Sequence, residues 1–292
     1  MYTRLLTPLT ASDGENLAVY SWLPEDSTKQ IDGEGVTKRG VVLIVHGLGE
    51  HAGRYDHVAH QLQDWGFEVR AYDQRGHGES GGKQGVLPSS TALLGDLADV
   101  MDDTQLHCRG LPLILLGHSL GGLVASRFVS LGIRPVDALV LSSPALDAGL
   151  SSFQKLLLRV LPRFVPDLCV SNGLDANYLS HDPQVIKAYL TDRLVHNKIS
   201  PRLGQFIATA GPATVAAADS WRTPTLLMYA GADRLVNAAG SDEFAKRASQ
   251  SKTVKLGTVT AKRFDGYYHE LFNETDAAPV FALLKSWLDA RF

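Results

Sequence analysis

Leu113-Ile114-Leu115-Leu116-Gly117-His118-Ser119-Leu120-Gly121 decides the reading of this chain. Four consecutive apolar residues run into a G-x-S-x-G pentapeptide, and an apolar, helix-like stretch to Leu131 follows. A serine on a tight turn between a strand and a helix is forced outward, into a strained position at the top of a sheet. Small residues two places before and after it, Gly117 and Gly121, let strand and helix pass without clashing. The pentapeptide alone occurs by chance in many chains. Its strand-before, helix-after setting makes Ser119 a candidate nucleophile rather than an ordinary turn serine.

Working outward, the same rhythm continues on both sides. Val41–Val45 is apolar at every position, as a parallel strand must be when helices cover both faces. Tyr55, Val58, Leu62 and Trp65 recur at helical spacing, Phe67–Tyr72 reads as the next strand, and Leu93 to Met101 as the next helix. Ala138–Leu141 is another strand. After a gap, Thr225–Tyr229 and Val259–Phe264 read as strands, with helices near 240–249 and over Val280–Leu288. Tyr2–Pro8 and Asn16–Leu23 look like a pair of edge strands joined at Ser12-Asp13-Gly14-Glu15, and polar Pro24–Gly40 like an exposed loop. Such alternation predicts an α/β class, a mostly parallel central sheet with helices on both faces. Between Ala145 and Asp219 the strand rhythm stops and helical segments take over. The expected organisation is therefore a core of residues 1–144 and 220–292, with a helical cap inserted at 145–219 over the sheet edge where ligands bind.

Composition narrows the function. With 292 residues, 45% of them hydrophobic, the chain can bury a substantial core. A net charge of −3 offers no basic field to recruit nucleic acid. Cys108 and Cys169 are too few for a disulfide scaffold and are read as reduced thiols, one buried in each region. Met1–Asn16 has one basic residue and no long apolar run, so a cytoplasmic location is expected. Neither H-E-x-x-H nor paired C-x-x-C occurs, so no metal cluster is expected.

A serine hydroxyl needs a base, and the base an orienting acid. His269 follows the last strand and Asp233 follows the strand ending at Tyr229, which gives the order Ser119, Asp233, His269. Asp265 and Glu270 compete with Asp233 for the acid role. His118, inside the turn, is expected to direct its ring away from the nucleophile. The developing oxyanion needs preorganised donors, for which the backbone N–H groups of Leu48 and Leu120 are the candidates. His46 and Gly47 would support the loop that carries Leu48.

Several segments together resemble the monoacylglycerol lipase and lysophospholipase group of α/β-hydrolases. They are His46-Gly47-Leu48-Gly49-Glu50-His51 with Arg54-Tyr55, and Tyr72-Asp73-Gln74-Arg75-Gly76-His77-Gly78 with Ser80 and Gly82. The others are Gly117–Gly122, Gly231-Ala232-Asp233-Arg234-Leu235-Val236, and Tyr268-His269-Glu270-Leu271 with Asn273-Glu274. The resemblance covers about residues 40–140 and 220–292. It implies the α/β-hydrolase fold, cleavage of carboxylic esters of a single acyl chain (typically monoacylglycerol), no cofactor, and a lipid-handling cap. Leu120 stands where the group often has Met, and Arg193 where its cap often has Pro. A carboxylesterase or lysophospholipase acting on other small esters stays open, as does, more distantly, a non-catalytic ligand-binding member of the fold.

In the cap, Leu150, Phe153, Leu156, Leu157, Val160 and Leu161 share about three helical turns with Lys155, Arg159 and Arg163. Phe153, Leu156, Leu157 and Val160 are candidate acyl-binding residues. The helix reads either as packed on the cap's own core, or as an amphipathic lid whose apolar face meets a membrane or micelle.

Overall fold

The computed structural model describes residues 2–24 and 38–292, so most of the stretch read as an exposed loop at 24–40 lies outside the described residues. Eight strands form one sheet. They are β1 (Tyr2–Thr10), β2 (Asn16–Pro24), β3 (Val41–Val45), β4 (Glu68–Tyr72), β5 (Leu113–His118), β6 (Ala138–Ser142), β9 (Thr225–Ala230) and β10 (Val259–Phe264). The short β7 (Val170–Ser171) and β8 (Lys198–Ile199) pair separately. The sheet order is β1-β2-β4-β3-β5-β6-β9-β10. β1 and β2 are antiparallel to their neighbours, and the remaining pairs are parallel. The predicted edge hairpin turns at Gly14, whose φ of 90° needs glycine.

The all-apolar strands are buried on both faces, as expected. Val41, Leu43 and Val45 of β3 join one core cluster while Val42 and Ile44 join the other. The first cluster packs under α2 (Ala92–His107), α3 (Ser119–Ser130) and α7 (Ala239–Gln250), through Leu97, Leu123, Phe128 and Phe244. The second packs under α1 (Asp56–Asp64) and α8 (Ala278–Asp289), through Val58, Leu62, Val280 and Leu284. Cys108 and Cys169 are both free and both half-buried, so the expectation that each sits in a core is corrected. Cys108 ends α2 and Cys169 lies in a loop just before β7, where each keeps one side open to solvent.

Between β6 and β9 lie α4 (Ser152–Val160), α5 (Pro183–Thr191) and α6 (Pro201–Ala217). Ser151 starts α4 with a capping box, its side chain taking the Gln154 N–H while Gln154 returns the bond. α6 turns one face inward, and Leu203, Phe206 and Ala210 are part of the first core cluster. Among the described residues no helix is long and apolar enough to cross a membrane.

Candidate active site

The loops leaving the C-terminal ends of β3, β5, β9 and β10 converge on one cavity. At the end of β5, Ser119 takes φ 51°, the left-handed region that a side chain adopts at a cost of about 1–3 kcal/mol. The glycines make this turn possible. A Cβ on Gly117 would stand 2.6 Å from the Gly121 carbonyl oxygen, and one on Gly121 would collide with the carbonyls of Val45 and His46. Helix α3 thus sits directly against the end of β3.

His269 Nδ1 donates to Asp233 Oδ2 at 2.7 Å, which leaves Nε2 as the basic nitrogen. The second carboxylate oxygen, Oδ1, accepts from the N–H groups of Leu235 (2.9 Å) and Val236 (3.0 Å). Asp233 and His269 are 3% and 5% exposed at their side chains. Burial alone would raise the Asp233 carboxyl, but the His269 imidazole and the two N–H donors outweigh it and hold the group below its ordinary range. Burial alone would lower His269, but the Asp233 carboxylate dominates and the imidazole lies above 6.5. Asp265 instead holds Arg263 at 2.9 Å, and Glu270 binds Arg54, so neither competes for the imidazole.

Ser119, His269, Leu48 and Leu120 line the same cavity, which has a volume of about 390 Å³. Leu120 is the second residue of α3, so its N–H precedes the first intrahelical acceptor and lies at the positive end of the helix dipole. The loop carrying Leu48 is fixed from beneath. His46 Nδ1 donates to the Gly47 carbonyl at 2.8 Å, while its Nε2 accepts the Gln74 N–H at 2.9 Å. That pair of bonds sets His46 as a neutral, fully buried support. Gly49, at φ 77°, gives its carbonyl to the N–H of His196 at 2.9 Å, tying the loop to the cap.

Two features were not legible in advance. Glu50 accepts from the Gly47 N–H (2.6 Å), the Tyr55 hydroxyl (2.7 Å) and Arg54 (2.5 Å). Arg54 also forks onto both oxygens of Glu270, at 2.6 and 2.7 Å. Burial would raise both carboxyls, but the Arg54 guanidinium between them holds both below the usual range. This buried trio ties the loop of Leu48 to the loop of His269. The i, i+4 spacing of Glu50 and Arg54 was visible, but nothing local linked either to Glu270, 216 residues beyond Arg54. The second is His118. Its ring is not among those lining the cavity of Ser119, yet it packs 4.7 Å from the His269 ring and meets the Ser142 hydroxyl at 3.3 Å. Burial and the neighbouring imidazole lower it to about 4, so it stays neutral beside the base.

Of the four acyl-binding candidates, Leu157 lines the cavity and the other three do not. Phe153, Leu156 and Val160 are 67%, 56% and 41% exposed. The helical period explains the correction. Leu150, Gln154, Leu157 and Leu161 follow each other at three- and four-residue steps and, with Leu158, face the cavity, with the other three on the outward side. Val165, Leu168, Ile199 and Ile207 complete the apolar wall.

The chain matches the family described as "Serine aminopeptidase, S33" over residues 37–276. A monoacylglycerol lipase of Mycolicibacterium smegmatis is 36% identical over 253 residues, which span 86% of this chain and 88% of that protein. The human monoglyceride lipase is 30% identical, over 98% of this chain and 91% of its own length. Among solved structures, the Paleococcus ferrophilus monoacylglycerol lipase superposes with a TM-score of 0.79 at 34% identity, covering 87% of this chain and 96% of that one.

Proposed function

This chain belongs to the serine aminopeptidase S33 family of α/β-hydrolases, and on that premise we propose that it is a monoacylglycerol lipase working through an acyl-enzyme on Ser119. The observation that carries the reading is the character of the cavity. Its wall is apolar, and its polar lining is limited to Ser119, Gln154, Asn172, Ser200 and His269. An aminopeptidase must pair its substrate's terminal ammonium with an anion, and among the described residues no carboxylate lines this cavity. The nearby carboxylates of Glu50 and Glu270 are turned onto Arg54 and are not part of the cavity wall. An uncharged ester with one acyl chain fits; a cationic peptide terminus does not.

The chemistry follows from the geometry. Neutral His269 Nε2 takes the Ser119 proton as the hydroxyl oxygen attacks the ester carbonyl. The imidazolium is stabilised by Asp233, and the tetrahedral oxyanion by the N–H groups of Leu48 and Leu120. The imidazolium returns its proton to the leaving glycerol oxygen as that C–O bond breaks, which leaves the acyl chain on Ser119. Water then attacks by the same route and releases the fatty acid.

The division into a core (1–144 and 220–292) and a cap (145–219) is part of this proposal. So is peripheral contact with a membrane or micelle from a cytoplasmic location. The outward apolar residues of α4, with Phe164 (77% exposed), support that contact. Lys155, Arg159 and Arg163 alternate with them and suit an anionic surface. The test is a panel of short p-nitrophenyl esters, monoacylglycerols of several lengths, diacylglycerols, lysophosphatidylcholine and aminoacyl amides. The expected result is the highest kcat/KM on a monoacylglycerol. Preference for lysophosphatidylcholine would assign the headgroup differently, and turnover confined to aminoacyl amides would overturn the reading.

A further inference from the structure

Several directional bonds fasten residues 145–219 to the core, among them those from Asp192 to His51, His196 to Gly49 and Ser200 to Gly85, and one group of them falls on the backbone of the histidine loop. Residues 178–182 lie across residues 268–274. The N–H of His269 points to the Tyr178 carbonyl at 3.4 Å, and that of Glu270 to the Leu179 carbonyl at 2.8 Å. The Ser180 hydroxyl donates to the Asn273 carbonyl at 2.7 Å. Glu274 closes the arrangement. Its carboxylate, 3% exposed, accepts the Tyr268 N–H at 2.6 Å, the His181 N–H at 3.1 Å and the His181 Nδ1–H at 2.9 Å. His181 in turn stacks on Tyr268, with ring centroids 3.7 Å apart at 21°.

Tyr178 extends the contact to the acid loop, since Arg234 donates to its hydroxyl at 3.0 Å and lies over its ring. The strap therefore touches the residue before His269, His269 itself, and the residue after Asp233. α4 differs: none of its residues is buried, and the chain enters it just after Gly149, at φ 61°. A cap that opened as one body would have to break the bonds that hold the base.

We propose that Glu274 is a positioning residue for the His269 general base, fixing the base through the strap at residues 178–182 and so leaving lid motion to the α4 segment. A single carboxylate takes the N–H of the residue before the base and the N–H of the strap. Without it, Tyr268 and His181 lose their common acceptor and the His269 ring is free to drift from Asp233. Misplacement of about 1 Å at a reacting group costs about a hundredfold in rate. The groups that act most strongly on His269 are Asp233, Glu270 and Glu50, with the His118 ring packed beside it, and the Glu274 carboxylate lies one residue away on the Tyr268 N–H. Glu274→Gln removes the same charge as Glu274→Ala but keeps an acceptor, so a limb shift larger in the alanine variant than in the glutamine variant reports movement of the ring relative to Asp233.

This inference rests on the triad assigned above. The experiment compares wild type, Glu274→Ala, Glu274→Gln and Ser180→Ala on a soluble short p-nitrophenyl ester, which removes any lipid interface. The expected result for Glu274→Ala is a kcat lower by about 10- to 100-fold with KM changed by less than about threefold. The acid limb of its kcat/KM profile moves to lower pH, because the pair that raises His269 is loosened. Glu274→Gln, whose amide oxygen still accepts the Tyr268 N–H, recovers most of kcat. Ser180→Ala shows a smaller fall with the same direction of limb shift, and it carries the test should the alanine variant not fold. Unchanged kcat in Glu274→Ala, or a fall in kcat with an acid limb that moves no further than in Glu274→Gln, overturns the proposal. An inert wild type overturns the hydrolase reading itself.

Discussion

Replacing Asp233 with asparagine tests the relay at its most constrained point. The carboxylate accepts three bonds: the N–H groups of Leu235 and Val236 on Oδ1, and His269 Nδ1–H on Oδ2. An asparagine cannot serve all three. If its oxygen turns to the imidazole, its NH2 faces two buried N–H donors and leaves both unpaired, at about 1–3 kcal/mol each. It therefore keeps its oxygen on Leu235 and Val236 and presents NH2 to the ring. The ring must then accept at Nδ1, which places its proton on Nε2, where it cannot take the Ser119 proton. The wrong tautomer is favoured by a few kcal/mol, and stabilisation of the imidazolium is lost as well. The expected fall in kcat is about 10⁴-fold, the size seen for this change in trypsin-like triads, or roughly 5 kcal/mol in the barrier. KM should barely move. The assay is steady-state turnover of a soluble ester at neutral pH. A loss below about tenfold would refute the reasoning, because it would mean that the base does not depend on its tautomer.

The same substitution changes stability with pH. Asp233 is depressed in the folded protein, so its contribution is present above the unfolded value and lost as pH falls through the folded one. His269 is raised, so its contribution is complete below about 6.5 and lost as pH rises through its folded value. The gap in Tm between wild type and Asp233→Asn should be widest at mildly acid pH and should narrow toward alkaline pH. For the same reason the acid limb of the wild-type kcat/KM profile should lie above the ordinary histidine range, read by a pH–rate series.

Ser119→Gly should be inactive yet melt a few degrees above Ser119→Ala, because glycine relieves the φ of 51° that alanine retains; calorimetry on the two variants checks it. Ile207→Trp fills the apolar wall and should cut kcat/KM on long-chain monoacylglycerols about tenfold or more while sparing an acetyl or butyryl ester. Equal loss on both would place Ile207 outside the acyl path. Phe153→Ser combined with Leu156→Ser removes outward apolar surface and should weaken sedimentation with anionic liposomes by about tenfold or more. Turnover of a soluble short ester should be unaffected by the same pair.

What could be seen in the chain beforehand was whatever leaves a local signature. The strand β3 is apolar at every position, and β5 and β6 are apolar up to their C-terminal ends, because both faces are covered, and the elbow declares itself through glycines that only close backbone approach requires. Asp233 and His269 were legible because their order after two late strands is fixed by the sheet. The outward turn of Phe153, Leu156 and Val160 was not. A helix with apolar residues on several sides does not say which side meets the cavity, and the phase is set by where Gly149 and Ser151 start it. Arg54, Glu270 and Glu274 were hidden for a different reason. Their partners lie on separate elements, Glu270 216 residues from Arg54 and Glu274 93 from His181, and no periodicity links such pairs. Buried between two carboxylates, Arg54 acts as a brace.

The most direct measurement is intact-protein and peptide mass spectrometry after treatment with a long-chain alkyl fluorophosphonate. The account predicts one adduct, on the peptide carrying Ser119, formed rapidly in wild type and orders of magnitude more slowly in His269→Ala. A folded wild type that takes no label, or takes it on another residue at a rate indifferent to His269, would contradict it.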